Sequence, residues 1–167
     1  MAKITSLEGY AKPGSVLYCD IRFWVAHSGI YIGDNLIAEV TDKDGKAYIR
    51  YAHPRHFLTR LEDERDGKLK EGGKIYIACG KDGNLLGLEK VAQRARTAVE
   101  SAGSRARGKE YAWFPIDDSE LNCHKFSAGC LLGNFKNDCG SFEKLKEAIR
   151  KTYGEFKWID VEIGANS

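Results

Sequence analysis

The sequence predicts an α+β domain, an antiparallel sheet packed against helices, and two observations carry that expectation. Residues 13–80 hold short apolar runs separated by Gly, Asp and Asn, the pattern of strands and tight turns. From Gly87 onward the apolar residues recur at three- and four-residue steps, which is the helical period. With 167 residues the chain has the length of one domain around one core, so residues 1–167 are read as a single unit.

GSVLYC at 14–19 follows a Pro-Gly turn and reads as the first strand. VAHSGIYIG at 25–33 and NLIAEV at 35–40 flank Gly33, Asp34 and Asn35, which signals a hairpin. KAYIRYA at 46–52 follows the Asp44-Gly45 turn, and KIYIACG at 74–80 follows Gly72 and Gly73. Between them, the charged segment RLEDERDGKLKEGG at 60–73 reads as a solvated loop, and so does YAHPRHF at 51–57, where Pro54 breaks any helical register between His53 and His56. Leu88, Val91, Ala92, Ala95, Ala98 and Val99 then mark one face of a helix that Gly103 and Gly108 end. A second helix runs from Asn122 to about Leu132 and closes at Gly133. A third spans 141–153, with Ser141 as its cap and Phe142, Leu145, Ala148 and Ile149 facing inward. The final run, FKWIDVEI, is a last strand or an extended arm.

Charge and cysteine usage narrow the function. The 26 basic and 24 acidic side chains leave a net charge of +2, too even to suggest nucleic acid as a partner. The basic stretch of Arg94, Arg96, Arg105, Arg107 and Lys109 offers a peripheral contact for an anionic headgroup, but a solvated helix face is the favoured reading. No apolar run approaches the roughly 18 residues of a membrane span. The segment 1–14 lacks the apolar stretch of a signal peptide, so a cytoplasmic protein is expected. The five cysteines (Cys19, Cys79, Cys123, Cys130 and Cys139) are odd in number and are read as free thiols. No CxxC pair or zinc-type histidine spacing occurs, so no metal and no cofactor is expected.

One thiol invites a catalytic reading. Cys123 stands at the start of a predicted helix, where unpaired backbone N–H groups and the helix dipole favour thiolate over thiol. His27, on a buried strand, supplies a base for that thiol. Glu39 lies across the hairpin turn, where it faces the same sheet surface and can orient the ring.

These segments resemble a known family. HSGIYIGDNLIAEV (27–40) is similar to the histidine motif of the lecithin retinol acyltransferase-like family, and NCHKFSAGCLLG (122–133) resembles its Asn-Cys-Glu-His-Phe motif. The resemblance covers about residues 13–133 and includes RARTAVESAG, which family members place before the cysteine segment. It implies the circularly permuted papain-like (NlpC-type) fold, in which the histidine strand precedes the cysteine helix. It also implies Cys123 as nucleophile, His27 as general base and Glu39 in the place of the third polar residue, a histidine in many members. The sequence departs from the family at His124-Lys125, where the motif has Glu-His, and in lacking a membrane-anchoring C-terminal helix, since 144–156 is amphipathic.

The expected function is therefore a cysteine-nucleophile acyl hydrolase or acyltransferase that forms a thioester on lipid or small acyl ester and amide substrates. Two alternatives stand beside it: a peptidoglycan-type peptide amidase, and an idle binding domain of the same fold. Tyr18, Asn122 and His124 are candidates for the oxyanion site or the rim of the cleft.

Overall fold

The turn residues of the first half set the strands. In the computed structural model, which describes residues 2–22, 25–102, 109–112, 115, 117 and 119–165, β2 (Val16–Arg22), β3 (Val25–Gly33), β4 (Leu36–Lys43) and β5 (Lys46–Ala52) form an antiparallel meander. Asp34 and Asn35 take φ of 53° and 58°, so β3 and β4 are joined by a two-residue loop with both central residues left-handed. Asp44 and Gly45 repeat this between β4 and β5.

The other strands extend the sheet at both edges. β6 (Gly73–Gly80) pairs with β2, and β9 (Phe156–Ile163) pairs along the whole length of β6. The C-terminal run is therefore an integral strand and not a free arm. Three two-residue strands, β1 (Lys3–Ile4), β7 (Glu110–Tyr111) and β8 (Glu120–Leu121), complete the order β1-β9-β6-β2-β3-β4-β5-β7-β8. They are too short to leave any periodicity in the sequence. The expected all-antiparallel sheet needs correction at its edges, where β1 pairs with β9 and β7 with β8 in parallel.

Helices α3 (Glu89–Ala102), α4 (Cys123–Leu132) and α5 (Phe142–Tyr153) cover one face of the sheet, and their apolar residues join Val16, Ile30, Ala38 and Val40 in one core. The opposite face packs Leu17, Tyr31, Ile37 and Ile77 against Leu7, Phe57 and Leu58. Two short helices stand where a loop is expected, α1 (Pro54–Leu58) and α2 (Leu61–Arg65). Pro54 does not interrupt α1. It occupies the first position, where a missing N–H costs no hydrogen bond. α3 begins two residues later than Gly87, and Leu88 lies outside it at 39% exposure. No helix among the described residues is long and apolar enough to cross a membrane.

The basic stretch on α3 serves internal contacts. Arg94 donates to the carbonyls of Cys130 and Leu131 at 3.0 and 3.1 Å, tying down the C-terminal end of α4, and Arg96 donates to the Ile32 carbonyl at 2.6 Å. Both side chains are committed, which replaces the expected solvated face. Gly103, Arg105, Arg107 and Gly108 lie outside the described residues.

Candidate active site

α4 begins where the sequence predicts, and its ends explain why. Asn122 Oδ1 accepts from the Lys125 N–H at 2.8 Å, and Gly133 ends the helix with φ of 74°. Asn122 also donates through Nδ2 to the Gly140 carbonyl at 2.7 Å, which fixes the helix start against the loop leading to α5. Both ends of its amide thus hold structure, and Asn122 acts as the cap of the helix that carries Cys123. Replacing Asn122 with alanine is expected to cost about 1 kcal/mol, read as a lower urea midpoint. Lys125, which stands where the family motif has histidine, is buried and turns away: its Nζ donates to the Asp117 and Glu120 carbonyls. These bonds brace the approach to α4.

The histidine and the carboxylate meet. His27 Nε2 lies 2.6 Å from Glu39 Oε1, with both residues buried. The register of β3 on β4, continued from Ile30↔Ala38, puts Glu39 opposite Gly29, one step diagonal from His27. Gly29 makes the approach possible, because a Cβ there would meet Ile37 Cγ2 at 2.7 Å and Phe57 Cε1 at 2.9 Å. Phe57 lies against the imidazole, ring centroids 4.8 Å apart. Glu39 in turn accepts from Arg50 Nε at 2.7 Å through Oε2. The Arg50 guanidinium grips Glu64 on α2 with two bonds of 3.0 and 2.9 Å. A chain of alternating charge, His27–Glu39–Arg50–Glu64, buried at its first two members and half-buried at the last two, therefore runs from the site to α2. Its far end, Glu64, was invisible in the sequence because residues 60–73 read as solvated.

Electrostatics separate Cys123 from the other thiols. All five cysteines are free and buried. Burial pushes Cys19, Cys79, Cys130 and Cys139 upward. Burial acts the same way on Cys123, but the charge and hydrogen bonding of His124, and then of His27, outweigh it and hold the thiol well below its ordinary value. His27 shows the reciprocal effect. Burial lowers it, yet hydrogen bonds and charge from Cys123 and Glu39 raise it to about 10. Desolvation opposes the charged form of Glu39, and His27 and Arg50 together bring it below its ordinary value. The two shifts run in opposite directions, the thiol held down and the imidazole held up, each favouring the charged form of its partner.

These shifts give a pH signature. His27 is raised by folding, so its contribution to stability is complete below 6.5 and is lost as pH rises toward about 10. Glu39 is lowered, so its contribution is complete above 4.5 and is lost as pH falls through its folded value. These two groups are expected to stabilise the fold most between pH 4.5 and 6.5. Denaturation midpoints of the parent and Glu39→Gln, compared from pH 4.5 to 10, check this.

Two tyrosines differ from the sequence reading: Tyr18 lies apart from the place suggested for it, and Tyr111 enters the site unannounced. Cys19 is the register partner of His27, so alternation turns Tyr18 to the opposite face of the sheet. There it packs against Tyr76, Phe142 and Trp158, with centroids 4.6 to 4.8 Å away. It borders His124 through Phe142, whose ring lies 5.5 Å from that imidazole, and through its cross-strand partner Ser28, whose Oγ lies 2.9 Å from His124 Nδ1. Tyr111, on the small strand β7, was missed. Its phenol hydrogen-bonds Cys123, and burial followed by the charges of Cys123 and Asp42 pushes it far above its ordinary value, so it remains an O–H donor. Tyr111 also lines a cleft of about 190 Å³ with His27, Glu39, Phe57, Thr41, Asp42, Arg60 and Arg65. The aromatic run YAWF at 111–114, close before the cysteine, was the available signal.

No family model and no curated protein matches this chain. Among solved structures it is similar to a metalloprotein, yiiX, from Escherichia coli O157:H7, with 15% sequence identity and a TM-score of 0.36 over 93% of this chain and 89% of that one.

Proposed function

We propose that this protein is a thiol hydrolase or acyltransferase with Cys123 as nucleophile, His27 as acid–base and Glu39 as the orienting carboxylate, built on a permuted papain-like fold. The observation that carries the reading is the Cys123 thiol held low at the start of α4 while His27 is bound through Nε2 to Glu39. That bond leaves Nδ1 as the ring nitrogen for the sulfur. In the reaction, the thiolate attacks the acyl carbonyl carbon and a C–S bond forms, with the electron pair going to oxygen. Tyr111 O–H, which meets the Cys123 sulfur, and backbone N–H groups of the first turn of α4 would donate to that oxyanion. The imidazolium gives its proton to the departing alcohol or amine as its bond to carbon breaks, leaving a thioester. Water, or an acceptor alcohol or amine, then gives a proton to His27 as its oxygen or nitrogen bonds to the thioester carbon, and the C–S bond breaks to release the acylated product and restore the Cys123 thiolate.

The cleft beside His27 favours the polar end of the substrate range. Asp42, Thr41, Thr59, Arg60 and Arg65 line it, and these suit a small acyl or peptide-like amide better than an alkyl chain. Incubation with an aryl acetate is expected to add one acetyl mass to Cys123. Release of peptide stems from purified peptidoglycan, or of fatty acid from phospholipid micelles, distinguishes the amidase from the lipid reading. Iodoacetamide labelling at about pH 6 is expected to modify Cys123 ahead of Cys139 and the other three. Equal labelling of all five would leave the idle binding domain as the better account.

A further inference from the structure

We propose that Ser28 is a positioning residue of the thiol site, its buried hydroxyl bonding His124 and Ser127 and so fixing α4 on β3. The inference rests on the thiol-enzyme reading and adds to it what sets the spacing between nucleophile and base.

Ser28 Oγ lies 2.9 Å from His124 Nδ1 and 3.1 Å from Ser127 Oγ. Ser28 follows His27 on β3, and His124 follows Cys123 on α4. One bond therefore joins the immediate chain neighbours of the two reacting residues, and any slide of α4 along β3 strains it. Ser127 stands one turn beyond His124 on the same side of the helix. Two contacts a turn apart also resist rotation of α4 about its own axis.

Both serines are fully buried and His124 is 8% exposed, so these groups rely on one another and not on water. Ser127 donates to Ser28 and Ser28 to Nδ1; with a proton on Nδ1 the chain runs in reverse. Phe142 packs against the imidazole with centroids 5.5 Å apart, and Tyr18, the cross-strand partner of Ser28, packs on Phe142 at 4.8 Å. The ring is seated from β3 on one side and from α5 on the other.

The rest of α4 is held less directionally. It packs against β3 and β4, and Phe126, Ala128, Cys130 and Leu131 enter the core. Apolar contact has no preferred direction, whereas a hydrogen bond weakens steeply as its angle departs from linear. The Asn122 cap fixes the helix start to the loop before α5, a different element from the one that carries His27. Precision is needed here, since a displacement of about 1 Å at a reacting pair can cost on the order of 10²-fold in rate.

The test is acetylation of Cys123 by an aryl acetate in the full chain, read as the rate at saturating ester and as KM, beside urea midpoints. Ser28→Ala is expected to lower the saturated rate by about 10- to 100-fold and to leave KM within about twofold of the parent. His124→Leu should act alike, and the double variant should lose little more than either single one, because both remove the same link. His124→Asn, whose amide stands close to the place of Nδ1, should restore most of the rate. A parent-like rate in folded Ser28→Ala overturns the proposal even if its urea midpoint falls, because the bond then serves stability alone. Additive losses in the double variant, or no rescue by asparagine, overturn it as well. If His124→Leu fails to fold, Ser28→Ala and His124→Asn decide. If Ser28→Ala fails to fold, Ser127→Ala decides, with a smaller fall in rate expected and a parent-like rate overturning the proposal. A parent protein that takes up no acetyl at Cys123 sinks the thiol-enzyme reading itself, which keeps the two failures apart.

Discussion

Replacing His27 with alanine is expected to lower turnover of any ester or amide the protein accepts by about 10²- to 10⁴-fold, because the proton can no longer reach the leaving group. The fold should survive, since alanine fits the space and Glu39 keeps its bond to Arg50. Glu39→Gln should cost less. The amide can still touch the imidazole, but the charge that favours its protonated form is gone. The difference should also appear against pH. In the parent, the acylation rate should fall on the alkaline side near the His27 value of about 10. Because Glu39 is one of the groups that raise His27, removing its charge should shift that limb downward. Parent-like activity in His27→Ala, on any substrate that works, would remove His27 from the mechanism.

The largest effect on stability is expected at Arg50. Its side chain is 13% exposed and stands between Glu39 and Glu64. Arg50→Met keeps the aliphatic stem but leaves Glu39, 2% exposed at its side chain, with His27 as its remaining cationic partner among the described residues. Breaking a buried pair in this way costs about 3 kcal/mol, far more than loss of a surface ion pair. Adding Glu39→Gln to Arg50→Met should return part of that loss, because the unpaired charge is then removed. Urea denaturation of the two single variants and the double variant measures this. A cost within the range of a surface pair, about 1 kcal/mol or less, would show that the chain of charges does not stabilise the fold.

The near half of that chain was legible in the sequence and the far half was not, for physical reasons. A two-residue Asp-Asn turn fixes hairpin register within narrow limits, so His27 and Glu39 could be placed on one face from twelve residues of sequence. Cys123 was legible because its helix carries a cap at one end and a glycine at the other. Arg50 faces Glu39 across the second hairpin, but its grip on Glu64 depends on α2, a five-residue helix too short for any apolar period. Tyr111 sits on a two-residue strand with the same deficiency. Tyr18 was a different kind of miss. Strand alternation alone, applied to its neighbour Cys19, places it on the far face.

The position of β9 bears on how such a chain is made. β6 lies between β2 and β9, yet β9 comprises residues 156–163, so a nascent chain emerging from the ribosome holds β6 with one side open until these residues are free of the exit tunnel. That open side is an eight-residue edge including Ile75, Ile77 and Ala78, the kind of strand that recruits other chains. Completion of the sheet therefore waits for these residues, and a chaperone that shields β6 during synthesis would act on the interval between its emergence and the arrival of β9.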